Sequence, residues 1–259
     1  MTSILHSIHL KTSNTACSSC SLNELCLPAG LDAGEIEQLD HMVSAKQTFK
    51  RGAYLYRAGE HFQSIYAVRT GFFKTATLLN DGREQVTGFH MMGEIIGMDA
   101  ISTDIHPCDA IALEGSEICE IHFSQLEQLS RNIPTLQRHL HKILSREIVR
   151  DHGIMLLLGS MKAEERLAAF LLNLSQRFAA RGYSPSSFNL RMTREEIGSY
   201  LGLKLETVSR TFSKFQKDGL ISVQNRSIEL HDMAALKHIL GRQDCAINEK
   251  QHLTNRIQY

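Results

Sequence analysis

The rhythm of hydrophobic and polar positions changes three times along the 259-residue chain. Between residues 47 and 123, short β-favouring runs alternate with glycines, at 53–56, 64–68, 72–79, 85–89 and 118–123. Turn chemistry separates them at Lys50-Arg51-Gly52, Ala58-Gly59, Thr70-Gly71 and Asn80-Asp81-Gly82. Asp-Gly between two strand-like runs signals a hairpin, because both residues tolerate the backbone a tight turn demands. Several short strands at this spacing predict a small antiparallel sandwich or roll. Ahead of it, residues 31–43 predict a short helix with Leu31, Ile36, Leu39, Met42 and Val43 on its apolar side. Residues 1–28, rich in Ser, Thr and Asn and without a clear period, read as an arm.

From Pro134 to about Leu158 the pattern becomes helical, with proline placed where a helix's first turn tolerates it. At 1.5 Å per residue this helix is about 37 Å long. Leu140, Leu144, Ile148, Met155 and Leu158 recur at steps of three, four and seven, which is one helical face, and Asp151 falls on the same stripe. Such a seam has to be buried. It either packs on its own domain or pairs with its copy in a second chain, and the residue pattern leaves both open. Residues 161–181 predict a further helix (Leu167, Phe170, Leu171, Leu174, Phe178), ended by Gly182-Tyr183-Ser184-Pro185. No internal repeat is visible, and the tail from Gly241 is polar.

Residues 193–216 carry the most specific local signal. Thr193 and Glu196 form a capping box that starts one helix, and Ile197 and Leu201 are its inward positions. Gly198 allows close approach, and Gly202 supplies the conformation of a tight turn. Val208, Phe212 and Phe215 face inward on a second helix, leaving Glu206, Ser209, Arg210 and Lys214 outward. This is the steric recipe of a helix-turn-helix. Arg grips guanine bidentately, and Glu accepts from an exocyclic base amine, so the outward face suits a DNA groove. Residues 219–223 and 225–230 then read as a hairpin, the wing of a winged helix, with Arg226 near its tip.

Composition narrows the setting. Of the residues, 42% are hydrophobic and 22% charged, enough for one or two globular domains. No apolar run approaches the length of a membrane span, and the first sixteen residues lack the apolar stretch of a secretion signal, so a cytoplasmic protein without a membrane partner is expected. Net charge is zero, yet residues 162–217 hold ten Lys and Arg against five Asp and Glu, a basic bias consistent with a polyanion partner. Six cysteines occur, at 17, 20, 26, 108, 119 and 245. Disulfides are not expected in the cytoplasm. The spacing Cys17-x2-Cys20-x5-Cys26 suggests soft-metal ligation, and thiolates alone suit zinc and an iron–sulfur cluster equally. A redox enzyme using C-x2-C is the competing class, but it lacks any cofactor fingerprint and leaves the helix-turn-helix without a purpose, so no enzyme is expected.

A roll, a long helix and a winged helix in this order resemble the CRP/FNR family of transcription regulators, and within it the oxygen-responsive FNR branch. The telling stretches are Thr87-Gly88-Phe89-His90, residues 154–158, residues 163–170 and Glu206-Thr207-Val208-Ser209-Arg210. The resemblance runs from about Cys17 to Leu240. It implies an α+β fold: a cysteine-rich arm (1–28), a cyclic-nucleotide-binding-like β-roll (29–133), a dimerisation helix (134–160), a winged helix-turn-helix (161–240) and a tail (241–259). It assigns base reading to Glu206, Ser209 and Arg210. It also implies a [4Fe–4S] cluster held by Cys17, Cys20, Cys26 and a distant cysteine just before Glu-Ile, here Cys119 in Cys119-Glu120-Ile121. Cys108 and Cys245 are left without a role.

On that resemblance the chain is an activator whose oxygen-labile cluster promotes homodimerisation and binding to an inverted repeat with TTGAT-like half-sites, in contact with RNA polymerase. The alternative is a regulator of the same fold gated by another signal, with zinc or no metal. Cyclic-nucleotide-binding relatives follow a Gly-Glu with an arginine that holds the phosphate. Gly93-Glu94 is present, but residues 95–113 contain no basic residue other than His106, so no cyclic nucleotide is expected.

Overall fold

The computed structural model describes residues 16–241; the start of the arm and the tail with Cys245 lie outside the described residues. Two compact units emerge. One comprises the chain up to Thr77 together with Phe89–Leu144, the other Leu78–Gly88 together with the chain from Ser145 onward.

The first unit opens with a one-turn 3₁₀ helix at Cys17–Ser19 and helix α1 (Ala33–Asp40). A capping box at Asp32 starts the helix two residues after Leu31. Asp32 Oδ1 accepts from Glu35 N at 2.8 Å, and Glu35 Oε2 accepts from Asp32 N at 3.0 Å. Met42 and Val43 do not extend this helix. Val43 instead starts β1 (Val43–Phe49), because pairing with Ile121 claims its backbone. The strands that follow are β2 (Tyr54–Tyr56), β3 (Ser64–Thr70), β4 (Phe72–Leu78), β5 (Glu84–Met91), β6 (Ile95–Ile96), β7 (Asp109–Ala112) and β8 (Ser116–His122). They form two four-stranded sheets, ordered β1-β8-β3-β6 and β2-β7-β4-β5. The alternating runs foretold β2, β3, β4, β5 and β8. They missed β1, whose apolar positions do not alternate cleanly, β6, which is only two residues long, and β7, which is half alanine.

Period-two alternation splits β3 and β8 between two cores. Val68 and Ile118 point inward, to a cluster with Tyr56, Phe73, Ile96, Cys108 and Ala110 that fills the roll. Ile65, Ala67 and Ile121 point outward, to a second cluster with Leu27, Leu39, Leu126, Leu136 and Ile143. That outer layer consists of the cysteine segment, α1, α2 (Phe123–Asn132) and the first turns of α3 (Pro134–Ser160).

Helix α3 runs 27 residues without a break. The expected stripe divides along its length. Leu136 and Ile143 are buried, and Leu140 packs half-buried beside them, on the outer core. Beyond Leu144, Ile148 (56% exposed), Val149, Met155 (61% exposed), Leu156 and Leu158 stand in solvent, and Asp151 is exposed among them.

In the second unit α4 (Ala163–Ala179) buries Leu167, Phe170, Leu171, Leu174 and Phe178, the face the sequence marks. Strand β9 (Ser187–Asn189), helices α5 (Arg194–Leu201) and α6 (Leu205–Lys217), strands β10 (Ile221–Gln224) and β11 (Ser227–Leu230), and α7 (Met233–Ile239) complete it. The wing has three strands, ordered β10-β11-β9, where the sequence suggested two. Asn225, at φ +56°, turns the β10–β11 hairpin. Arg166 gathers helix ends: its guanidinium donates to Leu158 O at 2.8 Å, Met161 O at 2.9 Å and Leu201 O at 2.9 Å. Those of Leu158 and Leu201 are carbonyls that helix termini leave without partners. Leu78–Gly88 counts with this unit because Ser199 Oγ donates to Glu84 O at 2.9 Å and accepts from Val86 N at 2.8 Å.

Candidate functional site

Three cysteines of one segment and a fourth distant in sequence line one pocket of the first unit: Cys17, Cys20, Cys26 and Cys119. The 3₁₀ turn carries Cys17. Asp40, the last residue of α1, pins that turn by accepting from Cys17 N and from Ser18 Oγ, the latter at 2.9 Å. A run of turns through Asn23 and Leu25 brings the chain round to Cys26. Leu27, fully buried, anchors the segment in the outer core. Cys119 arrives from β8, directly opposite Ala67 of β3. The remaining lining is apolar except for Asn23 and Arg69. Cys108 is elsewhere, buried in the roll with its thiol donating to Asp99 Oδ2 at 3.2 Å.

The thiols are chemically coupled. Burial, then the neighbouring Cys26 thiol and the Asp40 carboxylate, push the Cys17 thiol far above its ordinary value. Cys26 is pushed up to about 12 by burial, against a partly offsetting backbone hydrogen bond from Leu27. Cys119 is raised by burial and drawn back down by the Arg69 guanidinium. Without a cation these groups are protonated; a metal must displace the protons to bind. The donor set fits a soft metal, with four sulfurs and no carboxylate or imidazole lining the pocket. Among the described residues, no three His, Cys, Asp or Glu side chains close on a single ion. The segment is also tied to α3: the Cys26 carbonyl accepts from His139 Nε2 at 3.0 Å.

The helix-turn-helix forms as its sequence dictates. Thr193 Oγ1 accepts from Glu196 N at 3.1 Å, and Glu196 Oε2 accepts from Thr193 N at 2.7 Å. Gly202 ends α5 in the left-handed region, at φ +62°. At Gly198 a side-chain carbon would lie 2.6 Å from Leu203 O, so only glycine permits this approach. Val208, Phe212 and Phe215 hold α6 down. Glu206, Arg210 and Lys214 are exposed and Ser209 is half-buried. Lys214 is not waiting in open solvent, for its Nζ binds Glu164 Oε1 of α4 at 2.6 Å. Sequence reasoning missed Glu164, as it missed Asp40, Arg69, His139 and Arg166, because each acts through a neighbour remote in the chain.

In the roll, the imidazole of His106 stacks on Tyr56 with ring centroids 3.7 Å apart. Burial holds His106 below its ordinary pKa, with Asp99 and Glu60 pulling the other way. Glu94 is engaged locally: its carboxylate accepts from Met91 N at 3.2 Å.

Residues 46–132 match the cyclic nucleotide-binding domain, and residues 165–239 match the Crp-like helix-turn-helix domain. The chain is 46% identical over 229 residues to the transcriptional regulatory protein btr of Bordetella pertussis, covering 88% of this chain and 95% of that protein. It is 44% identical over 225 residues to the fumarate and nitrate reduction regulatory protein of Escherichia coli, covering 87% and 90%. Among solved structures, FixK2 from Bradyrhizobium japonicum superposes with a TM-score of 0.71 at 30% identity, over 77% of this chain and 98% of that one.

Proposed function

The chain belongs to the CRP/FNR family of DNA-binding transcription regulators, and from that premise we propose that it is an oxygen-responsive member gated by a [4Fe–4S] cluster on Cys17, Cys20, Cys26 and Cys119. One observation carries the proposal: three thiols from a 3₁₀ turn and its following loop meet a fourth, from β8, in one apolar pocket. Four thiols suit a zinc ion and an iron–sulfur core alike, and the 44% identity to the fumarate and nitrate reduction regulatory protein of Escherichia coli favours the cluster. When bound, the cluster supplies an oxygen-labile iron–sulfur centre.

The chain's own residues provide the rest. Asp40 and Leu27 hold the ligand loop, and His139 links the Cys26 carbonyl to α3. The exposed stripe of α3 (Ile148, Met155, Leu158) is the face a second copy would cover, with Leu140 and Leu144 leading into it and Asp151 among them. Paired Asp151 carboxylates would oppose one another there, so the dimer is weak by construction and sensitive to small changes in the loop. A two-fold dimer places two α6 helices on an inverted repeat. Glu206, Ser209 and Arg210 read TTGAT-like half-sites there, and Lys214 contacts phosphate once it leaves Glu164. RNA polymerase is the partner at activated promoters. The roll takes no cyclic nucleotide: in residues 95–113, after Gly93-Glu94, the one basic side chain is His106, which is buried, stacked and biased to neutrality. No helix among the described residues is long and apolar enough to cross a membrane, and the protein works in the cytoplasm.

The test is the visible absorption and the iron and sulfide content of protein purified without air. A broad band that bleaches in air, lost in Cys119→Ser and retained in Cys108→Ser, is the expected result. A colourless zinc protein, or one whose iron depends on Cys108, would overturn the assignment and favour a family member gated by another signal.

A further inference from the structure

We infer that Arg69 is the resident counter-charge of the four-thiol pocket: it binds no metal, but sets how readily a thiolate-bound centre there is oxidised. The inference rests on the cluster reading above and concerns a residue outside the ligand set.

Placement comes first. Ala67 of β3 lies directly opposite Cys119 of β8, so the two share the outer face of the sheet. Two residues on, period-two alternation returns Arg69 to that face. The ladder also slips between Val68, paired with Ile118, and Thr70, paired with Glu117, which leaves Arg69 as an extra residue without an opposite number. Such a bulge sharpens local twist and re-aims a side chain. Arg69 lines the pocket, where it is the one cation among the lining residues and no carboxylate lines it. Its ion partner, Glu117, stands off at 3.9 Å from Nε to Oε2, too long for a hydrogen bond.

The charge has a consequence. Four thiolates around an iron–sulfur core leave a net anion in an apolar cavity, which burial penalises. An arginine is always charged and offsets that penalty at every pH of interest. The more negative redox state gains most from a nearby cation, and local charge is one of the protein's levers on cluster potential. Removing the cation therefore favours the oxidised state and hastens loss in air. Removing Glu117, which competes for the same guanidinium, acts in the opposite direction.

The experiment uses the full chain loaded with iron and sulfide under anaerobic conditions. Wild type, Arg69→Lys, Arg69→Gln and Glu117→Gln are compared by iron and sulfide per chain, midpoint potential and rate of bleaching in air. We expect equal loading throughout. Arg69→Gln should shift the potential downward and bleach several-fold faster, Arg69→Lys should stay close to wild type, and Glu117→Gln should shift upward and bleach more slowly. Equal potentials and bleaching rates at equal loading would overturn the role of Arg69 while leaving the cluster intact. If Arg69→Gln does not load, an unshifted Glu117→Gln overturns it instead. A wild type without iron overturns the cluster reading, and this inference with it.

Discussion

Single residues in this protein are constrained by space and by charge, and the two kinds of constraint make different predictions. Gly198 is a matter of space. Its missing side chain lets Leu203 O approach to where a β-carbon would sit at 2.6 Å, and that oxygen is backbone and cannot swing aside. Gly198→Ala should therefore cost about 1–3 kcal/mol, the usual range for overpacking, visible as a lower midpoint in denaturant at unchanged slope. An unchanged midpoint would mean that the turn between α5 and α6 relaxes freely. His106 is a matter of charge. Its folded pKa lies below the unfolded value near 6.5, because burial disfavours the cation. As pH falls through 6.5 the unfolded chain takes up the proton first, so this residue's share of stability is present above that pH and lost below it. His106→Phe keeps a ring on Tyr56 and removes the titration. Thermal midpoints measured between pH 7.5 and 5.5 should fall less steeply in the variant, and equal slopes would show that His106 is protonated at no cost. Both residues were visible in the sequence: Gly198 with its steric role, His106 only as the lone basic residue in its segment.

At the scale of elements, α3 is where sequence and structure diverge most usefully. Its heptad-like stripe was legible as a pattern, but the pattern could not say which turns meet the protein's own roll. Leu136, Leu140 and Ile143 do so, against a layer that includes Leu27 of the ligand loop. From Ile148 onward, Ile148, Val149, Met155, Leu156 and Leu158 are exposed, while Leu157 turns inward and is buried. The proposed dimer seam is thus the later part of the helix, and it holds an acid. Asp151→Ala removes a like-charge pair and should strengthen self-association tenfold or more, about 1.4 kcal/mol, giving dimers in air without a cluster. Ile148→Ala thins the seam by roughly 2 kcal/mol per protomer and should leave monomers even in the anaerobic, loaded protein. Sedimentation of both variants decides the matter; an Asp151→Ala protein that stays monomeric at every concentration would remove the seam from this face. The missed strands teach a related lesson. β7 lies between β2 and β4 and is made by its neighbours' hydrogen bonds more than by its own residues, which include two alanines.

At the scale of the whole molecule, the prediction is for sequence-specific DNA binding by two copies. Recognition helices one helical turn apart, about 34 Å, call for an inverted repeat with a short spacer. Arg210→Ala should cost about 1–3 kcal/mol and relax choice only at the guanine it grips. Glu206→Val should broaden base choice while keeping or raising non-specific affinity, because a carboxylate near phosphates adds discrimination more than affinity. Lys214→Ala should flatten the salt dependence without changing base preference. That effect is reduced by whatever hold Glu164 keeps on the lysine in free protein. A binding series with every half-site base varied, run on wild type and the three variants, tests all of this; an Arg210→Ala protein weakened equally on all sequences would leave Arg210 as a backbone contact. The sequence by itself determined the helix-turn-helix, its capping box and its outward face, since these rest on local spacing, and it determined the roll as a class through short alternating runs. It also placed three cysteines in one segment, and the resemblance supplied the fourth. Only the tertiary structure decided that Cys119 shares a pocket with them, because strand register sets which residue of β8 faces outward. The same is true of Arg69 at a bulge, Asp40 at the end of α1, Glu164 on Lys214 and Arg166 across the ends of α3 and α5. Each of these contacts joins residues far apart along the chain, and a local pattern carries no information about which distant partner the packed fold brings within reach.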